Sequence, residues 1–320
     1  MIAAVSSTDA SQPNRVRFID IDAEDQGQRI DNFLLKTLKG VPKSKIYRIL
    51  RKGEVRVNGG RVKPSQRLVS GDRLRIPPVR TAAPGQPVVL PAYLRAELEQ
   101  RLLFEDEHLL VLNKPSGLAV HGGSGLSFGV IEALRELRPG VRGLELAHRL
   151  DKATSGCLLI AKKRSALRVI QEQFRRREVR KQYFALVHGR WKGGKRLVEV
   201  PLQKNLLSSG ERMVRVSADG KASATRLRPI TNWGDVSLLE ACPQTGRTHQ
   251  IRVHAQYCGH PIVGDEKYGG DHAMGSMPLP KRLFLHARSI SIVHPQSNER
   301  VSFYAPLDAE WIDLLVRLDA

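Results

Sequence analysis

Proline divides this chain before any other property does. Pro77-Pro78 ends an alternating stretch that proline cannot continue as a central strand, and Pro84, Gly85, Pro87 and Pro91 follow soon after. Residues 81–99 therefore read as an extended linker, with a small module over residues 16–80 before it and a larger unit over residues 100–320 after it. At 320 residues the chain exceeds one ordinary core and suits this division. Residues 1–15, with Ser6, Ser7, Thr8, Ser11, Gln12 and Pro13, lack periodic apolar positions and read as a disordered tail.

Within the small module, Val16–Ile21 is strand-like, and Ile30, Phe33 and Leu34 then fall at helical spacing. A second helix fits Lys43–Lys52, with Ile46, Ile49 and Leu50 on one face and Lys45, Arg48, Arg51 and Lys52 largely on the other. Glu54–Val57 alternates, Asn58-Gly59 is a strong hairpin signal, and Asp72–Ile76 alternates again. Residues 29–80 hold fifteen Lys and Arg against Asp31, Glu54 and Asp72, a net charge of +12 out of +20 for the chain. A charge run is ordinarily a solvated face, but this density favours contact with phosphates, where each cation releases counterions. No apolar run approaches the ~18 residues that span a bilayer, and no basic region precedes an apolar core at the N-terminus. A soluble, cytoplasmic, monomeric protein with a polyanionic partner is expected.

The larger unit shows strand-like runs at His108–Leu112, Gly156–Ala161, Tyr183–Val187 and Val236–Leu239, with helices between some of them. Regular alternation of strand and helix is missing, so the expected class is α+β, a mixed and largely antiparallel curved sheet, not a doubly wound one. His148-Arg149-Leu150-Asp151-Lys152-Ala153-Thr154-Ser155-Gly156 places one carboxylate in a polar turn between apolar segments. Catalytic acids are commonly mounted so at a sheet rim, although an Asp before Thr-Ser-Gly is also ordinary turn chemistry. Further on, Ile251, Ala255 and Cys258 share a helix face, His249, Arg252 and Gln256 form the adjoining polar stripe, and Gly259 stops the helix. Tyr183 shares a strand face with Ala185 and Val187, while Phe184 takes the other.

Cys157, Cys242 and Cys258 stand far apart without a Cys-x-x-Cys and read as reduced core residues. His249 and His254 are five apart, which does not align two metal ligands on a helix, so no metal is expected. His121-Gly122-Gly123-Ser124-Gly125 lacks the final glycine of a nucleophile elbow, because Leu126 stands there, and lacks the Gly-Lys-Ser/Thr ending of a P-loop. It reads as a flexible loop near a cleft.

Three blocks in order, His148–Gly156, Lys181-Gln182-Tyr183 and Thr245-Gly246-Arg247-Thr248-His249-Gln250-Ile251-Arg252-Val253-His254, resemble the signature of the pseudouridine synthases that act on large-subunit ribosomal RNA. Asn113-Lys114-Pro115-Ser116-Gly117 and Leu283-Phe284-Leu285-His286-Ala287 are similar to elements of the same family, so the resemblance spans about residues 100–310. Residues 39–52 and 121–129 most resemble one of its subgroups, which modifies several uridines of bacterial large-subunit RNA. Arg29-Ile30-Asp31 and Lys52–Gly59 resemble the αL RNA-binding motif of a small-subunit ribosomal protein and several RNA-modifying enzymes.

The resemblance implies a mixed-sheet catalytic fold, large-subunit ribosomal RNA as partner, and a uridine isomerisation that needs no cofactor. It implies Asp151 as the essential nucleophile or base, Arg252 as a cation that favours its ionised form, and Tyr183 as the ring that stacks on the uracil. Arg149 would fill the space left by a flipped base, with unstacking offset by protein contacts. His249, Arg29, Lys45, Arg48, Arg51, Lys52 and Arg56 complete the expected RNA contacts. Arg175, Arg176, Arg177, Arg180 and Lys181 either guide phosphates to the cleft or form a solvated helix end. Two rivals stand beside this: a catalytically inactive RNA-binding protein of ribosome assembly, and a glycosidase, which normally requires a second carboxylate.

Overall fold

The computed structural model describes residues 15–38, 40–79, 90–122, 128–141, 143–206, 212–270, 274 and 280–320. The chain forms two compact units, the second beginning at Leu90. In the first, the elements are β1 (Arg17–Asp20), α1 (Ile30–Thr37), α2 (Lys43–Arg51), β2 (Arg56–Val57), β3 (Gly60–Arg61) and β4 (Arg73–Ile76), and the strands make a sheet of order β1-β4-β2-β3. Ile30, Phe33 and Leu34 of α1 and Ile46, Ile49 and Leu50 of α2 are buried with Val57, Leu74 and Ile76 of the sheet, as their spacing dictates. Asn58 (φ 49°) and Gly59 (φ 80°) both take left-handed backbone, the requirement of the tight two-residue turn joining β2 to β3.

The second unit contains α3 (Ala92–Gln100), β5 (Leu102–Glu105), β6 (Leu109–Lys114), α4 (Val130–Leu137), β7 (Glu145–Leu146), β8 (Ser155–Ala161), α5 (Arg164–Arg175) and β9 (Arg180–His188). There follow β10 (Arg196–Glu199), β11 (Leu202–Leu206), β12 (Arg212–Val216), β13 (Ala224–Trp233), β14 (Val236–Pro243), α6 (Gln250–Tyr257), β15 (Leu285–Val293), β16 (Arg300–Tyr304) and α7 (Ala309–Asp319). Among the described residues a ten-stranded sheet runs β10-β13-β14-β9-β15-β8-β6-β5, with β16 beside β15 and β7 beside β8. Every pairing in it is antiparallel except β15 with β8, so the α+β class and the largely antiparallel sheet read from the sequence both hold.

The central strands are buried on both faces, which explains their unbroken apolar runs. Leu110, Leu112, Leu158 and Ile160 pack into one cluster with Val130, Ile131 and Leu134 of α4, while the alternate residues Leu109, Val111, Cys157 and Leu159 pack into another with Ile170 of α5. Where β8 meets β15, Gly156 sits at φ +108° and a Cβ there would collide with the Ala287 carbonyl. The loop carrying Asp151 runs directly into this junction.

One expectation is overturned. The linker read over residues 81–99 gives way at its C-terminal half to α3, whose Leu94 and Leu98, with Leu90, are buried in the second unit's own core. Pro91 occupies the N-cap, where a missing N–H does no harm, and Leu94 and Leu98 lie one turn apart on the same helix face. The remaining linker residues up to Val89, the tail over residues 1–14 and residues 123–127 of the glycine-rich loop lie outside the described residues.

Candidate active site

The Asp151 turn is built from its flanks. Leu150 (5% exposed) and Thr154 (2%) are buried on either side of it, and Thr154 donates its N–H to the Asp151 carbonyl at 3.1 Å. The Asn113–Gly117 segment then binds the backbone just after the acid. Lys114 Nζ donates to the carbonyls of Pro115 (2.8 Å), Leu118 (2.7 Å) and Lys152 (3.0 Å), Gly117 N–H to Lys152 (2.9 Å), and Ser116 Oγ to Ala153 (2.8 Å). Burial pushes the Lys114 ammonium down to about 7, against the pull of Asp151. His148 accepts the Leu159 N–H on Nε2 at 3.1 Å, and burial pushes its ring down to about 4, so it is a neutral prop between the loop and β8.

Facing the acid is the N-terminal end of α6. Arg252 Nη1 and His249 Nε2 both lie 3.9 Å from Asp151 Oδ2, inside charge-pair range and outside hydrogen-bond range. The Asp151 side chain remains 22% exposed. Tyr183 lies half-buried in the same cleft, and its phenol is pushed well above its ordinary range by burial and then by Asp151, so the hydroxyl keeps its proton. The cleft measures about 540 Å³, is bounded also by Arg149, Arg175, Arg177 and Arg247, and falls within the ~300–1,000 Å³ of small-molecule sites.

Two side chains that hold this arrangement were not singled out in the sequence. Asp265 receives the Arg252 guanidinium in a fork, Nε at 2.7 Å and Nη2 at 2.6 Å, and its Oδ1 also accepts the N–H of Lys267 (3.0 Å) and Tyr268 (3.1 Å). Asp151 is thus the second partner of Arg252, not the first. Burial opposes the guanidinium's charge, and Asp265, with smaller help from Asp151 and Tyr268, more than offsets it. Tyr268 places its ring under Arg252, 4.9 Å from ring centroid to guanidinium carbon, and its hydroxyl 2.7 Å from His249 Nδ1. Their signal was faint: an acid and a tyrosine in a short turn bounded by Gly264 and Gly269, without periodicity.

The expected polar stripe on α6 needs correction too. His249 precedes the helix in left-handed backbone (φ 53°), and Arg252 and His254 are buried, so only Gln256 of the polar residues along α6 faces water. Ile251 and Ala255 do bury against the sheet, and Gly259 (φ +81°) does end the helix. Gln250 shapes the preceding loop, accepting from Thr245 Oγ1 (2.7 Å) and Arg247 N–H (3.0 Å).

Of the expected residues, Asp151, Tyr183, Arg252, Arg149 and His249 meet in this one cleft, with Arg149 exposed. Along the basic run, Arg175 and Arg176 are paired with Glu172, and Lys181 is a wall of the cleft that burial pushes down to about 8. In the first unit Arg48, Arg51, Lys52 and Arg56 are exposed and Lys45 half-buried, none with a carboxylate partner among the described residues. Arg29 differs: its guanidinium forks onto the buried Asp31 at 3.1 and 2.7 Å, and Asp31 also accepts from Tyr47 Oη at 3.1 Å, so Asp31 joins α1 to α2 and Arg29 neutralises its charge.

Comparison with known proteins bears directly on these two units. The profile of the RNA pseudouridylate synthase family matches residues 108–257, and that of the S4 domain matches residues 28–74. Ribosomal large subunit pseudouridine synthase C of Pasteurella multocida is 57% identical over 304 residues, covering 94% of this chain and 93% of that protein. The Escherichia coli K12 protein of the same name is 55% identical over 298 residues, covering 92% and 93% respectively. Among solved structures, human RNA pseudouridylate synthase domain containing 4 aligns with a TM-score of 0.60 at 28% identity, over 71% of this chain and 96% of its own. Human RNA pseudouridylate synthase domain containing 1 aligns at 0.53 and 26%, over 75% and 98%. With both units accounted for, this chain belongs to the RNA pseudouridylate synthase family, isomerases here joined to an N-terminal S4 domain.

Proposed function

We propose that this chain converts selected uridines of bacterial large-subunit ribosomal RNA to pseudouridine, working in the cytoplasm as a monomer without a cofactor. The names of its relatives support the RNA class, and the cations of the S4 unit that lack a carboxylate partner among the described residues support affinity for a folded RNA. In the reaction the bond from uracil N1 to the anomeric carbon breaks, the base turns, and C5 bonds to that carbon. The C5 proton leaves and N1 gains one. Nothing is added or lost, so the chemistry asks for a positioned carboxylate and an enclosed pocket.

The observation that carries this proposal is the Asp151 carboxylate, 3.9 Å from both Arg252 and His249 in a cleft that also presents the Tyr183 phenol. Asp151 either attacks the anomeric carbon or removes the proton beside it, with the Arg252 guanidinium 3.9 Å from its carboxylate. Tyr183 stacks on the uracil and assists the proton transfer. Arg149, exposed at the rim, enters the space the flipped base leaves, offsetting an unstacking cost of a few kcal/mol. Lys45, Arg48, Arg51, Lys52 and Arg56 hold phosphates, while the Arg29 guanidinium is already engaged by Asp31. A glycosidase would need a second free carboxylate, and Asp265, behind Arg252, is buried and already accepts four hydrogen bonds.

The test is to incubate unmodified large-subunit ribosomal RNA with the protein and map pseudouridine by sequence position. Conversion at a small, reproducible set of uridines is expected. RNA that is bound but unchanged would identify a binding protein instead, and release of free uracil a glycosidase.

A further inference from the structure

Tyr268 touches both groups that face Asp151, and its hydroxyl is placed so that its proton has one destination. Val214, from β12, donates its backbone N–H to that oxygen at 3.0 Å. A backbone N–H can only donate, so the phenolic proton points elsewhere, and His249 Nδ1 waits at 2.7 Å on the other side. Tyr268 is 4% exposed and packs with Val214 and Val253, so its hydroxyl has little access to solvent. Were Nδ1 itself protonated, two donors would converge on one buried oxygen and the phenolic proton would have no acceptor among the described residues.

We propose that Tyr268 is a positioning residue that fixes His249 in its Nε2–H tautomer, so that a hydrogen-bond donor, not a lone pair, is aimed at Asp151. The inference rests on the reading of Asp151 as the reacting carboxylate and deepens it. Nε2 stands 3.9 Å from Asp151 Oδ2, and a movement of about 1 Å as RNA closes on the site completes that hydrogen bond. In the other tautomer the Nε2 lone pair would oppose the carboxylate and hinder the same approach. Burial of the imidazole favours its neutral form against the pull of Asp151, while Arg252 and Lys267 disfavour a second proton and Asp265 favours it. The hydroxyl, rather than the ring, is what carries the effect, since the ring alone supports Arg252.

The decisive measurement is the ring-nitrogen NMR spectrum of the full-length protein labelled with 15N-histidine, with His249 assigned from a His249→Gln spectrum. At neutral pH Nε2 should be protonated and Nδ1 bare. An Nδ1–H ring or an imidazolium overturns the proposal. In Tyr268→Phe the tautomer preference should be lost and kcat should fall about threefold to tenfold, the worth of one hydrogen bond, with KM for RNA unchanged. An unchanged spectrum and kcat in that variant would also overturn it. His249→Gln, whose amide nitrogen falls near the Nε2 position, should retain more kcat than His249→Asn, and the reverse order contradicts the inference. Full activity in Asp151→Asn would remove the functional reading while leaving the tautomer result standing, so the two failures are distinguishable.

Discussion

Replacing Asp265 by Asn tests whether the cation facing Asp151 is held from behind. The Asp265 side chain is fully buried and that of Arg252 is 7% exposed, so their pairing is shielded from water. Asn can keep an oxygen at the Oδ1 position for Lys267, Tyr268 and one guanidinium N–H, but its NH₂ then meets the Arg252 Nε–H donor to donor. The substitution also removes the charge that neutralises a buried guanidinium, which costs about 3–5 kcal/mol, a large share of the ~5–15 kcal/mol that holds a domain folded. All three tryptophans, Trp191, Trp233 and Trp311, belong to the second unit, so their fluorescence in urea reports the unit that contains the change. Arg252→Met with Asp265→Asn should be more stable than Asp265→Asn alone, because no uncompensated charge remains. An Asp265→Asn penalty below ~1 kcal/mol, or a double variant no better than the single, would refute the reasoning.

Gly156→Ala should destabilise the second unit by about 2 kcal/mol or more, because the residue sits at φ +108° against the Ala287 carbonyl, and a urea midpoint within error of wild type would contradict this. His148, His254 and His286 are each pushed by burial from 6.5 to about 4, so the unfolded chain binds more protons than the folded one between those values. Stability is therefore full above pH 6.5 and lost as pH falls towards 4, by up to about 2 kcal/mol per ring at pH 5, and a urea midpoint flat from pH 7 to 5 would contradict it. Substituting Ala for Arg48, Arg51 and Lys52 should weaken RNA binding and flatten the dependence of log K on log salt by up to about 0.9 per lost phosphate contact. An unchanged salt slope would make that face merely solvated.

What the sequence disclosed and what it hid have separate physical origins. Local rules were sufficient for the S4 unit, where helical spacing over Ile46, Ile49 and Leu50 and the Asn58-Gly59 pair determine both helix face and turn. They were sufficient as well for the Asp151 turn and for β6 and β8, whose unbroken apolar runs follow from burial on both faces. They failed at α3, where proline content outweighed the Leu94–Leu98 spacing, and at α6, where a polar residue was assumed to face water. Arg252 is buried because Asp265, thirteen residues on, forks its guanidinium, and a long-range ion pair has no periodicity to betray it. Tyr268 escaped notice for the same reason: its role arises from β12 and His249 converging on its hydroxyl.

Asp151 contacts its cations only at 3.9 Å, so its amide replacement removes the negative charge with little loss of packing. The most direct measurement is the single-turnover rate of pseudouridine formation in large-subunit ribosomal RNA by Asp151→Asn, alongside its RNA affinity and urea midpoint. Isomerisation should vanish while affinity and stability stay near those of the wild-type protein. Conversion of the same uridines at an undiminished rate would show that the carboxylate of Asp151 does not carry the reaction.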